Sequence, residues 1–160
     1  METVQHAAER VRAILGAEWI PAIYRDQILA DRTRRYALKC PHGARRVEIA
    51  HTLLGIEVKV DGRRLLVPDL AVARYLAVFA RIGAEAIAIP YDITRLSRFA
   101  DQLEQSWQRL PLLVEHVTEG RSPHFRARVR TCLVRWMRDE LRMLGAGALY
   151  PSFEMPTRRR

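Results

Sequence analysis

Cysteine and lysine are both scarce in this 160-residue chain. Its two cysteines, Cys40 and Cys132, are too few for a disulfide framework or a cysteine-based zinc site. They predict free, metal-free thiols and a reducing, cytoplasmic setting. There is no glycine-rich phosphate loop, no G-x-S-x-G elbow and no Ser/His/Asp set, so the common nucleotide- and ester-hydrolysing chemistries have no anchor. Long hydrophobic runs are missing too. The most apolar stretch, LAVARYLAVFARIGAEAIAIP, is interrupted by Arg74, Arg81 and Glu85, which excludes an unbroken membrane span. The N-terminal METVQHAAERVRAILGAEW mixes acids and bases without an apolar core, unlike a signal peptide. These absences predict a soluble protein with no membrane partner.

What is present is apolar residue and arginine. A hydrophobic content of 49% over 160 residues suffices for one core. The expected organisation is a single α+β domain over residues 1–150 followed by a mobile basic tail over 151–160. The net charge is +9, and all of the 27 basic residues except Lys39 and Lys59 are arginine. Such a balance favours acidic partners, nucleic acid first among them, without specifying a fold. It also fits the coding bias of a GC-rich genome.

Periodicity supplies the elements. Val4, Ala8, Val11 and Leu15 recur at helical spacing, and Pro21 is expected to break the helix before a second short one through Ile28. RYALKC and RVEIAH alternate around Pro41-His42-Gly43, which predicts a hairpin and explains Cys40-Pro41-His42 as turn chemistry. Apolar residues fall on odd numbers at Val47 and Ile49 but on even ones from Leu54 to Val60, so a turn must lie near Thr52 to Gly55. Asp61-Gly62 signals a tight hairpin returning through Arg63 to Val67. Asp69 should cap a helix over 70–82 ended by Gly83, and EAIAIP should be a strand lying parallel to an earlier one after the crossover. Asp92 opens another helix, which Pro111 should interrupt, and Ser122-Pro123 opens the last, running to about Leu144. The expected fold is α+β: a mixed, mainly antiparallel sheet, made of a meander and one parallel strand, packed by the N-terminal helix and the C-terminal helices.

Two features carry candidate function. On the last helix His124, Arg128, Thr131, Arg135, Arg138 and Arg142 share one side, while Phe125, Val129, Cys132, Leu133, Trp136 and Met143 share the other. Guanidinium groups pair two phosphate oxygens at once. That face, with the terminal Arg158, Arg159 and Arg160, is the expected nucleic-acid-binding surface, acting by phosphate neutralisation without a catalytic step, a metal or a cofactor. Trp19, Trp107 and Trp136 lie on apolar stripes and are assigned to packing.

The second feature is IEVKVDGRR, in which Glu57 and Lys59 share one strand face. With Glu48 on the preceding strand, this E-x-K resembles the site of the PD-(D/E)XK nuclease superfamily, as does the order helix, three strands, helix, strand. The resemblance implies a metal-dependent nuclease: Glu48 and Glu57 would hold magnesium or manganese, Lys59 would orient water, and Glu9 or Glu18 would be a fourth member. A plain hairpin accounts for the same residues, with Lys59 across from Arg64 and Glu57 on the diagonal offsetting the like charges. The hairpin is the reading adopted and the nuclease its alternative. Arg109 and His116 also match the loose R-x6-H pattern of ribonucleases that resemble the HEPN class. A further alternative is a protein-interaction subunit, or a homo-oligomer, whose arginines merely solvate it.

Overall fold

The computed structural model describes residues 1–38 and 46–146. Helix α1 (Val4–Leu15) is capped by Thr3, whose hydroxyl accepts from the His6 N–H. It ends at Gly16, earlier than the expected break at Pro21, and a 3₁₀ turn follows over Gly16–Glu18. Trp19 is extended, and Pro21 instead lies in the first turn of α2 (Ile20–Ile23), where its missing N–H has no partner to lose. A π-helical turn continues over Tyr24–Ile28.

The strands are β1 (Thr33–Ala37), β2 (Val47–Thr52), β3 (Gly55–Val60), β4 (Arg63–Val67) and β5 (Ala86–Pro90). They form two antiparallel sheets, β2-β3-β4 and β1-β5. The turns that order the first sheet are the expected ones. Thr52 and Gly55 flank the first, and Asp61 and Gly62 both take positive φ in the second. The α+β class stands, but two pairings differ from expectation: β1 does not pair with β2, and β5 is antiparallel to β1 rather than parallel to an earlier strand.

Tyrosine accounts for the outer edge of β5 at Ala88, where β5 takes no second neighbour among the described residues. Opposite Arg35, Ala88 points its peptide groups away from β1; there its N–H donates to Tyr24 Oη at 2.8 Å and its carbonyl accepts from Tyr75 Oη at 2.6 Å. Two side chains thus satisfy the edge that another strand would have filled. Burial pushes both phenols above their ordinary pKa.

Helix α3 (Leu70–Ile82) is capped by Asp69, whose Oδ1 accepts from the Val72 N–H at 2.9 Å, and ends at the left-handed Gly83. Nine of its residues are buried because it is the central layer, with the β2-β3-β4 sheet on one side and α4 on the other. Its Arg74 reaches Asp101 and Glu104 of α4, which hold the guanidinium pKa above its usual range. Helix α4 runs unbroken over Ile93–Val117 through Pro111. One backbone bond is forfeited at the proline, yet buried Leu110 and Val114 on either side keep the stripe packed. Helix α5 (Pro123–Leu141) packs along α1 and ends in a π-helical turn over Arg142–Ala146. Among the described residues no helix is long and apolar enough to cross a membrane.

Candidate nucleic-acid interface

Helix α5 is held by its apolar side: Phe125, Val129, Cys132, Leu133, Met137 and Leu141 are buried. The Ser122 cap and Pro123 set its start, so the side opposite the core is fixed as the exposed one. His124, Arg128, Thr131, Arg135 and Arg142 are exposed there as expected. Arg138 is employed differently. Its Nε–H donates to the Ile82 carbonyl at 2.9 Å, satisfying an end group of α3. Cys132 is a buried free thiol, 4.0 Å from the Arg135 guanidinium. Cys40, Arg158, Arg159, Arg160 and the rest of the 151–160 tail lie outside the described residues.

Ion pairing divides the arginines. Arg10, Arg12, Arg25, Arg74, Arg95 and Arg109 each meet a carboxylate. Arg128, Arg130 and Arg142 have no hydrogen bond or ion pair among the described residues, and Arg135 has only its long contact to sulfur. Arg32, Arg34 and Arg98 also lack a carboxylate partner among the described residues, but on α5 the unpaired guanidiniums of Arg128, Arg135 and Arg142 recur along one side of one helix. Arg109, half of the R-x6-H pair, is bound to Glu18 in an exposed ion pair.

Alongside this stripe α1, the turns that follow it and α5 border an open cleft with two lobes. One, about 480 Å³, is lined by His124, Arg128, Thr131 and Arg135. The other, about 670 Å³, is lined by Glu9, Arg12, Trp19, Asp139 and Glu140. Gln5 and Trp136 line both, so the lobes adjoin there. The floor of the second lobe is rigid: Trp19 Nε1–H donates to Glu140 Oε1 at 2.9 Å, Arg12 pairs with Glu140 at 2.6 Å, and the same guanidinium lies over the Trp19 ring. Packing describes Trp19 well but Trp136 only in part, since it is half-buried and faces the cleft. Nothing in its helical position could have revealed that α1 would stop short of covering it.

The E-x-K face is more crowded than the sequence implies. Glu48 pairs across with Lys59, and Lys59 with Arg64, so Glu48, Glu57, Lys59 and Arg64 share the sheet face opposite α3. The change of phase at the Thr52 turn does not separate Glu48 from Glu57. Glu57 is only 5% exposed, its Oε1 has no hydrogen-bond partner, and Arg64 Nε stands 3.9 Å from it. Glu9 and Glu18 are on the α1 side of the molecule, against α5 and α4 respectively. Among the described residues no three His, Cys, Asp or Glu converge in a way that could hold a metal ion.

Exposed apolar side chains also mark the far end of this sheet, where Leu53 and Leu54 form the hairpin tip and Leu66 lies beside them. Comparison with protein-family models, with curated proteins and with solved structures finds no match to this chain.

Proposed function

We propose that this is a non-catalytic, cytoplasmic nucleic-acid-binding protein that grips phosphates with the arginine stripe of α5. The observation that supports it is the run of exposed guanidiniums along one side of one helix: Arg128, Arg135 and Arg142 recur every seven residues and meet no carboxylate among the described residues, whereas Arg10, Arg12, Arg25, Arg74, Arg95 and Arg109 are each paired with one. Like charges along one helix repel, and phosphate relieves that repulsion. With no base-reading motif in the chain, binding depends on salt more than on sequence. The test is the Arg128→Gln, Arg135→Gln, Arg142→Gln triple variant. Each phosphate no longer neutralised should flatten log K against log salt by roughly 0.7 to 0.9, with Tm unchanged. Wild-type affinity in the triple variant would move the reading to an acidic protein partner.

A second reading, the metal-dependent nuclease, gains one observation, the shared face of Glu48, Glu57 and Lys59. Two carboxylates there would supply part of the oxygen shell that magnesium or manganese requires. Cleavage that needs either ion and disappears on Glu57→Gln would establish it. No cleavage with either ion would leave IEVKVDGRR as a hairpin.

A further inference from the structure

We infer that the cleft between α1 and α5 takes an unpaired nucleotide of a single-stranded nucleic acid, with phosphate at Arg128 and Arg135 and the base against Trp136. This deepens the nucleic-acid reading and rests on it. Three chemistries lie in the order a nucleotide needs. The cationic lobe holds two guanidiniums without carboxylate partners, separated by seven residues or about 10 Å along the helix. Trp136 sits where the lobes meet, half-buried and so held in place, with part of its indole open to the cleft. Beyond it the second lobe carries two arginines, Arg12 and Arg25, each already paired with a carboxylate, Glu140 and Asp26 respectively. It also carries two exposed carboxylates, Glu9 and Asp139, that form no ion pair among the described residues, which leaves the lobe acidic.

Those acids are the telling feature. A surface built only to hold phosphate gains nothing from carboxylates beside its arginines, because they repel the ligand. Carboxylates do accept hydrogen bonds from the exocyclic amines of cytosine and adenine. The acidic lobe is therefore where the base edge goes, and the cationic lobe is where the backbone goes. A duplex cannot use this arrangement. Its bases are already stacked and paired, and it would offer the cleft phosphates alone, whereas an unpaired strand can turn a base onto an aromatic ring.

The experiment measures anisotropy with three DNA probes of equal length: an oligo-deoxycytidine strand, an abasic strand carrying the same phosphates, and a duplex. Wild-type protein should bind the deoxycytidine strand most tightly. Trp136→Ala should weaken that complex roughly 5- to 150-fold, the span of one base stack, while leaving abasic and duplex binding unchanged. Trp136→Phe, which keeps an aromatic face and guards against a folding defect in the alanine variant, should retain most of the preference. Equal wild-type affinity for all three probes would overturn the cleft proposal and leave the arginine reading standing. No binding of any probe would overturn both.

Discussion

Replacing Arg138 by glutamine separates structural from ligand-facing arginine on one helix. Arg138 follows Arg135 by a single turn, yet its Nε–H is committed to the Ile82 carbonyl, 56 residues away, at the C-terminal end of α3. Glutamine is too short to keep that bond, and the carbonyl is deprived of a charged donor. A hydrogen bond to a charged group contributes about 1.5–3 kcal/mol, and the favourable position of a cation at a helix C terminus lies within that figure. For a chain of this size each kcal/mol moves Tm by roughly 2–4 °C, so the expected fall is roughly 3–12 °C. The assay is a calorimetric melt of Arg138→Gln beside Arg128→Gln, with nucleic-acid titrations of both. Arg128→Gln should do the reverse, leaving Tm within about 1 °C because the side chain is exposed and unpartnered among the described residues, and lowering the salt slope. If Arg138→Gln keeps its Tm but binds more weakly, Arg138 belongs to the binding surface and the division of labour along α5 is refuted.

Two more outcomes follow from buried polar groups. Tyr75 has its folded pKa raised, chiefly by burial, above an ordinary value of 10.0, so its contribution to stability is complete below pH 10.0 and is lost as pH climbs from there toward the folded value. Urea unfolding between about pH 8 and 11.5 should show that decline, and Tyr75→Phe should flatten it after a cost of about 1 kcal/mol at the lower pH for the missing bond to Ala88; equal decline in both proteins would exclude Tyr75 as the cause. Glu57→Val should raise stability by about 1 kcal/mol, because a nearly buried carboxylate whose Oε1 accepts no hydrogen bond costs more to desolvate than its 3.9 Å ion pair with the exposed Arg64 returns, and valine suits a strand. A lower urea midpoint for that variant would mean that the pair with Arg64 outweighs the desolvation of Glu57.

The local grammar of this chain was legible, and the long-range pairings were not. Asp69, Asp92 and Ser122 cap helices where their side chains predict, and Asp61-Gly62 turns the hairpin, because each depends on residues within four positions. The partner of β5 depends on Tyr24 and Tyr75, 64 and 13 residues upstream of Ala88, which leave its second edge without need of a strand. The expectation of a parallel neighbour failed because a crossover helix fixes the direction of return but not which edges remain open. Pro111 failed as a stop signal for a related reason. A proline removes one hydrogen bond locally, and a 25-residue amphipathic helix buried along one stripe absorbs that loss in its packing.

The same limit shapes the candidate site. Helical periodicity sorted most residues of the last helix into an inner and an outer face, although Met143, expected on the inner side, is exposed, and a face says nothing of what stands opposite. Arg138 and Arg128 share a face and differ in fate because α3 ends beside one of them and solvent lies beside the other. Trp136 belongs to the apolar side and still meets the cleft, since α1 covers only part of it. Charge behaves likewise: the excess of +9 is a property of composition, but the unneutralised part of it is a property of which carboxylates the fold delivers to which arginines. At Arg10 and Arg12 of α1, Arg74 of α3, and Arg95 and Arg109 of α4 those deliveries are made. On the outer face of α5 they are not, and a helix that leaves Arg128, Arg135 and Arg142 without counter-charge, the first two beside an aromatic cleft, has the chemistry of a surface completed by an anionic ligand.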